Sequence, residues 1–261
     1  MFYAPFYGLF YAPFYGLLFG LLWALSPSRA HASPPGPDLD QLGPFGPELA
    51  LDPVEIPMPT DAVGDTGEVD LGCDATRLVD GVRLPELPEL YTTWDLERAW
   101  GTRTMAETLV AVAEEMRWQF PYGDPLVIGD ISRPGGGSLQ GHRSHQGGLD
   151  ADVGIYWGKA NQHQQGFRTV TTDDIDLAAN LAFVLALFRT GDVERILLDQ
   201  SLIRALRDYA IDSGELTEQA AREMFILPED GVEGSLFALD QVVHHVPGHH
   251  HHFHIRVRCT P

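Results

Sequence analysis

Lysine is almost missing: Lys159 is the single example in 261 residues, and 17 basic side chains in all face 37 acidic ones, for a net charge of −20. A surface of that sign repels phosphate backbones, which excludes nucleic acid as a partner. No run of basic residues occurs either, so docking onto anionic lipid through a basic patch is excluded. Cysteine is scarce, with Cys73 and Cys259 alone, so a structural zinc site built from several thiolates is out of reach. An apolar fraction of 44% remains ample for one globular core.

The first 32 residues differ from the rest. Apolar and aromatic residues run unbroken from Met1 to Leu25, followed by Ser-Pro-Ser-Arg and then Ala30-His31-Ala32, a small-x-small cleavage site. This is the pattern of a secretory signal peptide that leaves Ser33 at the mature N-terminus. The usual basic start is absent, since no Lys or Arg precedes Arg29, and FYAPFYGL occurs twice in tandem, from Phe2 and from Phe10. An uncleaved anchor is the rival reading, although Pro5 and Pro13 make a poor spanning helix. Both readings export the folded part to the periplasm. In that oxidising compartment Cys73 and Cys259 are expected to form one disulfide joining the ends of the domain. Residues 33–70, rich in proline and acid, read as an extended linker.

From residue 71 to 261 helix and strand signals alternate, and the expected fold is α+β: a small antiparallel sheet flanked by helices. Thr104 and Glu107 predict a capping box at the head of a first helix. Leu126 to Ser132 and Leu149 to Tyr156 read as strands. Asp173 and Asp174 suit the start of an almost wholly apolar helix that ends at Gly191. A strand over VERILLD and helices over SLIRALRDYA and LTEQAAREMF follow.

The last strand carries the chemistry. His-Phe-His-Ile-Arg-Val-Arg-Cys, from His252 to Cys259, alternates polar and apolar residues, so His252, His254, Arg256 and Arg258 share one face while Phe253, Ile255 and Val257 enter the core. Asp150 and Asp152 alternate in the same way with Leu149, Ala151 and Val153. His145 precedes Asp152 by seven residues, with Gly147 and Gly148 between them to turn the chain. Two imidazoles and one carboxylate, His145, His254 and Asp152, thus converge as three ligands that leave a fourth tetrahedral position for water, the arrangement of catalytic zinc. Most of the eleven histidines fall in two short segments, 142–145 and 244–254. A histidine-rich metal store is the competing explanation, but it accounts for neither Asp152 nor the glycines. Ser144 lacks the elbow motif of a nucleophile and reads better, with Asp150, as a group that orients a ligand from behind.

In GDISRPGGGSLQGHRSHQGGLDADVGIYW, from Gly129, and PGHHHHFHIRVRC, from Pro247, the sequence resembles the penicillin-insensitive murein endopeptidases, within the group of zinc peptidases that includes lysostaphin-type enzymes and D-Ala-D-Ala peptidases. The resemblance implies Zn2+ on His145, Asp152 and His254, with His249 and His252 beside it. His142 matches a further family histidine, for a second metal or a substrate contact. The family is richer in cysteine; this chain matches the pair Cys73 and Cys259 alone. His252 is the candidate general base and His249 the candidate oxyanion or leaving-group partner, in roles that can be exchanged. Arg256 is a candidate for a substrate carboxylate. The implied substrate is the cross-linked stem peptide of peptidoglycan, cut between D-alanine and meso-diaminopimelate. A zinc D,D-carboxypeptidase and a non-catalytic metal-binding module of the cell envelope are the alternatives.

Overall fold

The computed structural model describes residues 76–158, 167–231 and 241–259. The leader, the acidic linker and Cys73, and with it the expected disulfide to Cys259, lie outside the described residues. In chain order the elements are β1 (Val82–Arg83), β2 (Tyr91–Thr93), β3 (Trp100–Gly101), α1 (Arg103–Gln119), β4 (Leu126–Ile128), β5 (Asp150–Gly154) and α2 (Leu177–Arg189). After them come β6 (Val193–Leu198), α3 (Gln200–Asp212), α4 (Glu218–Met224), β7 (Phe225–Ile226), β8 (Val242–His245) and β9 (His252–Val257). No helix among the described residues is long and apolar enough to cross a membrane.

Seven strands form one mixed sheet in the order β2-β4-β5-β9-β6-β8-β7, and β1 pairs with β3 apart from it. The fold is α+β. The antiparallel sheet expected at the site is the middle of this larger one: β4, β5, β9 and β6 pair antiparallel with one another in that order. Parallel pairings of β2 with β4, and of β8 with β6 and β7, extend both edges.

Two helix starts differ from expectation. Helix α1 is capped by Thr102, whose Oγ1 accepts from Met105 N at 3.2 Å, and not by Thr104, which lies inside the helix. Thr102 holds extended backbone angles, as an N-cap must. Helix α2 is capped by Asp176 through Ala179 N at 3.0 Å. Asp174 instead closes a turn onto Thr171 N and Oγ1. The strand expected over residues 126–132 ends at Ile128; Gly129 and Asp130 still bond to Asp152 of β5, and Ile131 and Ser132 donate to the Arg98 carbonyl. That departure aims the Ile131 carbonyl at the site.

Alternation in β9 has the expected consequence for packing. Phe253, Ile255 and Val257 are buried, as are Ala151 and Val153 on β5. Phe183 of α2 packs on Phe253 at 5.3 Å between ring centroids, so α2 covers the apolar face of the central strands. Each such large side chain removed from water contributes about 1.5–3 kcal/mol. The opposite face is thereby held in one register.

Candidate metal centre

Strands β5 and β9 pair so that Asp152 lies across from His254, Asp150 from Arg256 and Gly154 from His252. Cross-strand partners point to the same face, and a one-residue slip would turn the whole set into the apolar core. His145 arrives from the loop before β5. Gly148 makes that approach possible: its φ is 68°, and a Cβ there would stand 2.9 Å from Gly101 Cα and Thr102 N. Only glycine fits so close a passage in that conformation.

Three ligand atoms then meet. His145 Nε2 lies 3.2 Å from Asp152 Oδ1 and 3.2 Å from His254 Nδ1. His254 Nδ1 lies 3.1 Å from Asp152 Oδ1. A tetrahedral ion with nitrogen and oxygen ligands at about 2.0–2.1 Å holds such atoms about 3.3–3.4 Å apart, so the triangle fits a metal ion with a small expansion. Two broader groupings, His142 with His145 and Asp152, and His249 with His252 and His254, each span up to 4.8 Å between ligand atoms. The tighter triangle takes members from both.

Hydrogen bonds behind the triangle set its tautomers. His145 Nδ1 lies 3.0 Å from the Ile131 carbonyl; a carbonyl only accepts, so Nδ1 carries the proton and Nε2 presents its lone pair. His254 Nε2 lies 3.0 Å from Asp150 Oδ1, which leaves Nδ1 to face the triangle. Asp150 is held in turn by Arg256 Nη1, at 3.0 Å and 2.8 Å from its two oxygens. Arg256 Nε reaches Glu194 at 3.6 Å, so the guanidinium is engaged with internal carboxylates. Ser144 Oγ lies 3.4 Å from His254 Nε2, a weaker contact than that of Asp150.

The electrostatics follow from this crowding. Burial draws the His254 pKa down, but hydrogen bonds and charge from Asp150 and Asp152 outweigh it and raise the ion-free imidazole to about 9. Burial pushes the Asp152 carboxyl up, and its polar contacts with the His145, His252 and His254 rings overcome that, holding it well below the usual carboxylate range. Burial, aided by His252 and His254, lowers His249 to about 4, so it is neutral at pH 7.

His252 Nε2 stands 3.3 Å from Asp152 Oδ1. The His249 ring lies 5.0 Å from that of His252 and 5.6 Å from that of His254, anchored through Nδ1 to the Val246 carbonyl at 3.2 Å. His142 bridges two carboxylates, with Nε2 2.8 Å from Asp130 Oδ2 and Nδ1 3.5 Å from Asp152 Oδ2. Asp130 also receives Arg98 Nη1 at 2.7 Å. Burial raises the Asp130 pKa, and His142 and Arg98 bring it below the ordinary range; the same hydrogen bond raises His142. Asp130 and Arg98 escape sequence reasoning. The signal for Asp130 was a lone carboxylate within the apolar run from Leu126 to Ile131.

No curated protein matches the chain. The model of the penicillin-insensitive murein endopeptidases matches residues 66–187, a stretch that holds Asp130, His142, His145, Asp150 and Asp152. His249, His252 and His254 lie beyond it, and the pairing of β9 with β5 joins them to it. Over residues 66–187 the chain is thus similar to the penicillin-insensitive murein endopeptidases.

Proposed function

We propose that the chain is an exported, zinc-dependent endopeptidase that cuts D-alanyl to meso-diaminopimelate cross-links in peptidoglycan, with His145, Asp152 and His254 as its metal ligands. The observation that carries this reading is the triangle of ligand atoms at 3.1–3.2 Å, closed by residues from both halves of the domain. When bound, zinc polarises the scissile carbonyl and makes water acidic enough to attack near neutral pH.

The protein's own groups do the rest. His145 and His254 present lone pairs because Ile131 and Asp150 fix their far nitrogens. His252 stands nearest the triangle and takes the proton from the attacking water. His249, neutral and tied to Val246, faces the oxyanion or the departing amine. Arg256 braces both oxygens of Asp150 through Nη1 and remains the candidate for a substrate carboxylate. No acyl group is transferred to a serine, so β-lactams, which acylate serine, have no target here. Zinc as the ion is favoured by the mixture of imidazole and carboxylate ligands.

Purified cross-linked murein incubated with the protein tests the reaction. Conversion of muropeptide dimers to monomers, seen by chromatography, is the expected result. Dimers that survive with trimmed stems would replace the endopeptidase by a D,D-carboxypeptidase. Dimers left unchanged by a folded, zinc-loaded protein would leave a metal-binding envelope module.

A further inference from the structure

Phe167 lies in neither helix nor strand, yet aromatic rings surround it. Its ring centroid is 5.2 Å from that of His252, with planes 23° apart, and 4.2 Å from that of Trp94. His251 stacks at 6.4 Å and 11°. Two glycines, one just past β4 and one at the end of β5, make room for it. A Cβ at Gly129 would stand 2.5 Å from Phe167 Cε2, and one at Gly154 3.4 Å from Cε1. Gly154 is the cross-strand partner of His252, so Phe167 occupies the space that a side chain across from the histidine would otherwise fill.

The polar partners of His252 act on the edge of its ring. Nε2 meets Asp152 Oδ1 at 3.3 Å, and Nδ1 meets His251 Nδ1. Rotation about χ2 is broad for an imidazole, and a half-turn exchanges each nitrogen with a carbon. A ring stacked at 23° resists that rotation, because turning the imidazole would drive its edge into the phenyl face. Trp94, half exposed, packs on Phe167 in turn.

We propose that Phe167, seated over Gly129 and Gly154 and supported by Trp94, is a positioning residue that fixes the His252 ring in the orientation required for proton transfer. The inference rests on the peptidase reading for its kinetic consequence, but the placement of His252 is measurable without turnover. Gly129 offers a second route to the same effect: an added methyl there would stand 2.5 Å and 2.6 Å from the far end of the phenyl ring, against an ordinary 3.4 Å from the Asp152 carbonyl, and so displaces the ring without deleting it.

Four variants of the full-length protein make the test: Phe167→Ala, Phe167→Tyr, Gly129→Ala, and Gly129→Ala combined with Phe167→Ala. A misplaced catalytic group costs on the order of 10- to 100-fold, so Phe167→Ala and Gly129→Ala are expected to lose about that much in kcat, with KM changed less than about twofold. Phe167→Tyr, which keeps the ring, restores turnover. The double variant is no worse than Phe167→Ala, since the methyl then has nothing to displace. In metal-free protein, diethyl pyrocarbonate labelling of His252, followed by mass spectrometry, rises severalfold in both single alanine variants. Unchanged labelling overturns the proposal, as do a loss confined to KM or additive effects in the double variant. Absence of murein cleavage by the wild type would instead defeat the peptidase reading, and the labelling would still decide whether Phe167 holds His252.

Discussion

Replacing Asp150 tests how the site prepares its ligands, because the residue touches no metal position yet sets the tautomer of His254. In the native protein Asp150 Oδ1 accepts from His254 Nε2 at 3.0 Å, and Arg256 holds both oxygens. Asp150 is 2% exposed, so water cannot readily replace its carboxylate. Ser144 Oγ, at 3.4 Å, is then the remaining partner and a poor one. Loss of such an orienting group lowers metal affinity by about 10- to 100-fold, equivalent to about 1.4–2.7 kcal/mol. Asp150→Ala belongs at the upper end, because it also leaves Arg256 without its closest anion. Asp150→Asn keeps an acceptor oxygen but loses the charge, and about 10-fold is expected. Competition for zinc against a chromophoric chelator at fixed pH measures both, with circular dichroism to establish folding. Affinity within about twofold of wild type in folded Asp150→Ala would refute the claim that this carboxylate prepares His254.

Zinc binding should release a proton at pH 7. With its pKa raised to about 9 in the ion-free protein, His254 is protonated below that pH and must lose the proton to bind, so affinity rises as pH climbs toward 9 and falls in acid; calorimetry in buffers of different ionisation enthalpy counts the protons. Phe253→Ala should cost about 3–5 kcal/mol in urea unfolding, because the ring is buried against Phe183. Asp176→Ala should cost about 1 kcal/mol through loss of the α2 cap. Asp173→Ala, outside that cap, should change thermal stability by less than about 0.5 kcal/mol.

The polar and apolar alternation in residues 252–258 showed the strand, its buried face and the convergence of imidazoles before any coordinates, because a period of two leaves one way to place such a sequence. The same logic found Asp150 and Asp152. Helix boundaries were less legible: Thr102 and Thr104, or Asp174 and Asp176, are equivalent in composition, and backbone geometry decides which of each pair caps. Short strands such as β2 and β8 carry too few residues for periodicity to show, and they join the sheet through neighbours distant in sequence. Asp130, Arg98 and Phe167 were hidden for a related reason. Each acts across a gap of ten or more residues, on a partner that no local pattern names. Arg256 was legible as a residue on the site's face, but its engagement with Asp150 depends on strand register.

Chelation and metal add-back on cross-linked murein test the central claim most directly. Chelated protein is expected to stop converting dimers to monomers, zinc to restore conversion at one ion per chain, and His254→Ala neither to retain the ion nor to regain activity. Continued cleavage by protein shown to be free of metal, or full activity of His254→Ala, would contradict it.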